Sequence, residues 1–191
     1  MNVDKRKQRE RSNRQQDSAN NQNEPTSRKA IIGNWIVAIG TVVSAIGSTP
    51  SPVFTQQIRS DFNLIGPTLE AVGISLVAEA EDTFLFTAGD QIQAIGNLAV
   101  IAGVLAENEQ TTIRLEQQGN AIQIVGLGLV LQTEGPLTLL ETLYNTGFII
   151  QIIGTAIEIL AARGPSIAED IKALGAWIKA AGAIITALAT Q

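Results

Sequence analysis

Four ionisable side chains, Glu70, Asp90, Glu158 and Lys179, fall near the middle of long apolar segments, where a reactive group would be most shielded from water. Carboxylates and lysines are the acid–base groups left to this chain, because it contains no histidine and no cysteine. The usual zinc ligands, the commonest general base near neutral pH, and the Ser-His and Cys-His nucleophile pairs are therefore absent. Disulfides are absent too, which is compatible with any redox compartment. The acidic run Glu79, Glu81, Asp82 suggests weak calcium binding, but it lacks the spacing of a calcium-binding hand, and a solvated turn is the plainer reading. Glycine pairs six residues apart invite comparison with a phosphate cradle. In mid-helix, however, their amides are tied up in helical hydrogen bonds. No phosphate loop, dinucleotide fingerprint, zinc signature or nucleophile elbow occurs. The expectation is a non-enzymatic chain with no cofactor, no metal and no small-molecule substrate.

The elements that must position these groups follow from composition and periodicity. Apolar residues make up 45% of the 191 residues but aromatics only 4%, so the interior must be built from Ile, Leu, Val and Ala with Gly between them. Residues 1–29 carry eight Lys/Arg against four Asp/Glu and almost no apolar side chain, whereas residues 30–191 carry five against fourteen. The first stretch cannot bury enough surface to offset the entropy of ordering, so it is expected to be a disordered basic tail. It has no aromatic residue for base stacking, which argues against nucleic acid and leaves a solvating arm or an electrostatic contact to another copy.

From Ala30 onward one motif recurs six times: "GNWIVAIG" from Gly33, "GPTLEAVG" from Gly66, "GDQIQAIG" from Gly89, "GNAIQIVG" from Gly119, "GFIIQIIG" from Gly147 and "GAWIKAAG" from Gly175. A small residue returns every seventh position. Gly33, Gly40, Gly47, Gly66, Gly73, Gly89, Gly96, Gly103, Gly119, Gly126, Gly147, Gly154, Gly175 and Gly182 occupy these slots, fourteen of the seventeen glycines. Motif starts lie 33, 23, 30, 28 and 28 residues apart, the length of one helix and one turn. At about 100° per residue the positions one and four after glycine form a narrow polar stripe beside it, and apolar residues fill an arc of about 200°. Each helix must therefore touch several neighbours, or lipid.

Turn chemistry places the boundaries. Breaks fall at "STPSP" (48–52), "EAED" (79–82), "ENEQ" (107–110), "EGP" (134–136) and "RGPS" (163–166). Gly135-Pro136 and Gly164-Pro165 read as helix stops, and Thr138 with Glu141 and Ser166 with Glu169 as capping boxes that open the next helix. Short loops force successive helices to run antiparallel. The prediction is an all-α, up-and-down array of six helices of about 20–26 residues over 30–191.

Glycine inside a helix costs about 1 kcal/mol relative to alanine, so fourteen cost up to roughly 14 kcal/mol, as much as the net stability of a domain. Close approach of helix axes, with dispersion contacts from flanking Ile and Val, is the mechanism available to offset this, so the fourteen glycines are expected to be helix-packing positions. Trp35 and Trp177 stand at equivalent positions in the first and last copies. They read as core residues, terminal caps, contacts between copies, or anchors at a bilayer edge.

The segment "GNWIVAIGTVVSAIG" with its Ser-Thr-Pro linker, and the recurring "LEAVG", "IQAIG" and "IQIVG" strings, resemble a family of repetitive proteins of unknown function from spore-forming bacilli. The likeness covers most of 30–191. It implies no activity and carries over no catalytic residue.

Ala30 to Gly47 is uncharged and follows a basic tail, as a first membrane span would. Against this, Glu70, Asp90, Glu158 and Lys179 would each cost about 2.5–3.5 kcal/mol at mid-bilayer. The polar stripe suits either the water-facing side of a soluble bundle or the lumen of a pore. The sequence favours the first: a cytoplasmic, non-enzymatic structural protein that self-assembles into a homo-oligomer or larger array through glycine-lined faces. Spore or membrane association is the other location these features allow, and the alternative is a multi-pass membrane-inserted or membrane-permeabilising protein.

Overall fold

The computed structural model describes residues 28–132, 136–161 and 168–191. The expected disordered tail lies outside the described residues, except that Arg28 and Lys29 already belong to the first helix. The helix is therefore already formed two residues before the composition break. Gly135, Gly164, Pro165 and Ser166 also lie outside the described residues.

The described residues form six helices: α1 (Arg28–Ser48), α2 (Gln56–Ala78), α3 (Phe84–Val104), α4 (Glu109–Leu129), α5 (Leu139–Ala161) and α6 (Ala168–Ala189). Their starts have local causes. Thr55 and Asn108 accept amide hydrogens of the first turns of α2 and α4 through their side chains. Before α5, Thr138 N–H donates to Glu141 Oε2 at 2.7 Å and Glu141 N–H donates to Thr138 Oγ1 at 3.2 Å, a reciprocal capping box. At the end of α1, Arg59 Nε donates to the Gly47 carbonyl across the turn. Helix α2 runs through Pro67, although proline has no N–H to donate back to residue 63.

The helices associate as three antiparallel hairpins. In α1/α2, Gly33 faces Gly73 and Gly40 faces Gly66, while Gly47 lies on Arg59 and Asn63. In α3/α4, Gly89 faces Gly126 and Gly96 faces Gly119, while Gly103 lies on Thr112 and Glu116. In α5/α6, Gly147 faces Gly182 and Gly154 faces Gly175. Every facing pair is reciprocal: a methyl built on either glycine would stand 2.5–2.9 Å from the partner's carbonyl oxygen. Real side chains do not approach backbone that closely, so at these positions the two helices touch through main chain.

Hairpins join α2 to α3 and α4 to α5, and α6 returns to α1. There Asn34 Nδ2 donates to Thr190 Oγ1 at 3.2 Å near one end, and Trp177 Nε1 donates to Thr49 Oγ1 at 3.0 Å near the other. Ala45, Ala176 and Ala180 form one apolar cluster along this seam, and Val37, Ala38, Ile74, Ala183 and Ala187 another. The six helices thus close into a ring.

Closure turns the side chains the other way from the sequence expectation. The polar line four residues after each glycine was expected to face water. Gln93, Gln123, Gln151, Glu70 and Lys179 are instead buried against the ring axis, and Ile39, Ile95, Leu98, Val125, Ile153, Leu174 and Leu188 are exposed. The reason is geometric. The residue four after glycine lies about 40° round the helix from it, so docking the glycine stripe onto the hairpin partner turns that residue inward and the apolar arc outward. Trp35 and Trp177, for which a place in the core was one reading, are 36% and 44% exposed on this outer surface.

Candidate functional site

Because the hairpins share one register, the interior is built in levels. On α2, α4 and α6, Glu70, Gln123 and Lys179 lie opposite Gly40, Gly96 and Gly154. On α1, α3 and α5, Val37, Gln93 and Gln151 hold the matching places; the first two lie opposite Gly73 and Gly126, and Gln151 opposite Gly182. We call the end carrying the α1 N-terminus the upper end.

At the lower level Lys179 Nζ donates to Glu70 Oε2 at 2.7 Å and to Gln123 Oε1 at 2.8 Å, linking three helices. Ser44 Oγ donates to the other Glu70 oxygen at 2.9 Å. Glu158 stands in the field of Lys179. Glu70, Glu158 and Lys179 are all less than 10% exposed, so removing either partner of the Lys179–Glu70 pair would strand a charge. Below them, Lys172 Nζ contacts Glu116 Oε2 at 2.7 Å. A narrow cavity of about 40 Å³ lies among Ser44, Asn97, Glu70, Asn120, Glu158 and Lys179. It shares Asn63, Val104 and Glu116 with a wider mouth of about 530 Å³ at the lower end.

The upper level has no such pairing. Gln151 Nε2 donates to Thr186 Oγ1 at 3.1 Å, and Gln93 Nε2 donates to Asp90 Oδ1 at 3.0 Å. Asp90 is 2% exposed, and its Oδ2 has no hydrogen-bond partner. Asn97 Oδ1, seven residues further along the same helix face, is the other buried side-chain atom left without one among the described residues. Above Asp90 a mouth of about 230 Å³ opens among Ala30, Glu81, Phe86, Tyr144 and Thr190. Burial, and then the neighbouring Asp82, hold the Glu81 carboxyl above the usual carboxylate range.

The four mid-segment ionisable groups are thus brought to the axis, three of them into the lower level and Asp90 into the upper. The acidic run does not act as one unit: Glu79 pairs with Lys29 at 2.9 Å, and Glu81 turns to the upper mouth. Among the described residues no group of three or more Asp or Glu side chains is placed to hold a metal ion.

Outside, the charges of the described residues are confined to the two ends. Asp61 and Arg114 are the exposed charges that reach furthest into a helix, and both lie six residues from its lower end. Between the ends runs an apolar belt. On α3, a helix of 21 residues whose one charge, Asp90, is buried, the exposed positions are apolar apart from Gln91; at 1.5 Å per residue that helix is about 31 Å long. Helices α1, α5 and α6 are each long and apolar enough to cross a membrane. The cytoplasmic location expected from the sequence finds no support in this surface.

A closed all-α ring with a polar interior is the class this geometry defines. The chain belongs to a family of unknown function, DUF6944, whose family model matches residues 28–187. No curated protein and no solved structure shows significant similarity to it.

Proposed function

We propose that the protein is a non-enzymatic, membrane-inserted six-helix barrel, with its apolar belt facing lipid and its polar stripe lining the interior. The observation that carries this reading is the inversion of the surface. The mid-height charges Glu70, Asp90, Glu158 and Lys179 are all buried, while large aliphatic side chains ring the outside. Water around that belt would leave many large aliphatic side chains exposed at mid-height, interrupted by a few neutral polar groups such as Gln91 and Gln118, whereas monomeric soluble proteins keep their apolar patches small. Lipid removes the cost, and the helix lengths match a hydrocarbon core of about 30 Å. The glycine-paired hairpins support the same reading, since close backbone approach holds helices together where no hydrophobic effect acts between them.

A second reading, self-assembly, is favoured by one observation: among the described residues, α1, α5 and α6 are apolar enough to be candidate spans by composition, and α2, α3 and α4 are not. Copies of the chain would then cover the belt of one another. Expression followed by alkaline washing of membranes separates the two. A lipid-facing barrel stays in the washed membrane pellet and needs detergent for release. A self-assembling protein leaves the membrane and sediments as a large particle without detergent. A compact, detergent-free monomer at high concentration would rule out both.

A further inference from the structure

Among the described residues, Asp90 is the buried acidic group with an oxygen that no side chain or backbone group meets. Its carboxylate is 2% exposed, Gln93 satisfies one oxygen, and the other has no hydrogen-bond partner. The neighbourhood adds negative rather than positive charge. Glu81 is close enough to act on Asp90, and both act on Tyr144. Of the basic side chains at this end, Lys29 is engaged by Glu79. An isolated buried carboxylate is among the most expensive groups a protein interior can hold, so something must neutralise it.

The register shows what surrounds it. Asp90, Asn34 and Phe148 each follow the first glycine of their helix, on α3, α1 and α5, so they lie at one level of the ring. Each sits one turn below a residue at the upper mouth: Phe86 above Asp90, Ala30 above Asn34, and Tyr144 above Phe148. The cavity of about 230 Å³ has Glu81, Ala30, Phe86 and Tyr144 in its wall, and Asp90 and Asn34 lie one helical turn beneath it.

We propose that Asp90 is the anionic ligand of a binding site for a small monovalent cation, entered through the upper mouth past Glu81. One carboxylate with neutral oxygens from Asn34 and Tyr144 balances a single positive charge. A divalent ion would call for more carboxylates than stand together here. A cation also engages several oxygens at once, whereas a proton satisfies one. The site depends on the interior alone, not on whether lipid or further copies cover the belt.

The test is the thermal transition of the full chain purified in detergent. It is compared in sodium chloride, potassium chloride and N-methylglucamine chloride at equal ionic strength and pH. The wild type is expected to melt several degrees higher in at least one of the two inorganic salts. Asp90→Asn should abolish the difference while melting at least as high as the wild type in N-methylglucamine. Glu81→Gln keeps the Asp90 carboxylate, and should reduce the difference without removing it. Equal midpoints in all three salts would overturn the proposal, as would a difference that persists in Asp90→Asn. Stabilisation by acid with no response to cation identity would assign the site to a proton instead, and would equally overturn it.

Discussion

In the lower half of the interior Lys179 reaches both Glu70 and Gln123, whereas in the upper half Asp90 has a single amide and a free oxygen. Both halves are built by the same repeat, with the same glycine contacts setting the helix spacing. The difference teaches that the heptad fixes where a side chain points but not how its charge is met. Glycine pairing brings the position four residues on to the axis whether that residue is Glu, Gln or Lys. Compensation then depends on which residues the other hairpins supply at that level. The lower level receives Glu70, Gln123 and Lys179 from its three hairpins, and so closes on itself. The upper level receives Gln93 and Gln151 with no cation, and Asp90 just above them is left over.

Breaking the shared frame has the largest effect. Gly126→Leu places a side chain where even a methyl would lie 2.5 Å from the Gly89 carbonyl, and Gly96→Leu does the same at 2.7 Å from the Gly119 carbonyl. Backbone cannot yield as a core side chain does. The loss should therefore exceed the roughly 1–3 kcal/mol of an ordinary overpacked position. Melting in detergent checks this, and unchanged stability of both variants would remove the close-approach account.

Breaking the lower level alone comes next. Lys179→Met leaves Glu70 buried and unpaired, at an expected cost of about 3–5 kcal/mol. Adding Glu70→Leu to the same chain should recover most of the loss, because replacing both partners of a buried pair by apolar groups is often neutral or better. A double variant as unstable as the single one would show that the pair is not what closes this level.

The upper level should respond with the opposite sign. Asp90→Leu removes an uncompensated carboxylate and should stabilise the protein in the absence of small cations. Lys179→Met and Asp90→Leu, compared under the same conditions, thus move the melting midpoint in opposite directions. The smallest effect expected is that of Ser44→Ala, which removes one hydrogen bond to Glu70 and should cost about 1–2 kcal/mol.

Much of the fold was legible because turns and caps are local. Thr138 and Glu141 form the reciprocal cap their spacing suggests, and the helices are separated near the breaks at 48–52, 79–82 and 107–110, the last falling two residues earlier, at 105–108. The direction of the polar stripe was not taken from the same periodicity. A helical wheel orders residues around an axis without saying which side meets the neighbours. The missing step was available: if glycine marks the closest contact, residues 40° away point inward and the arc opposite points out. The pairing of Lys179 with Glu70, 109 positions apart, was beyond reach, since it depends on the closure of α6 onto α1. Asp90 carried no distinguishing signal, because one aspartate beside a glycine looks like any member of the stripe.

The central claim is that the outer belt meets lipid, and the chain's two tryptophans, Trp35 and Trp177, both lie on it. The direct measurement is their fluorescence in liposomes whose acyl chains carry bromine at defined depths. The barrel described here predicts strong quenching by brominated chains, with no effect from a water-soluble quencher confined to the bulk. Emission untouched by bromine and quenched from the aqueous phase would contradict it.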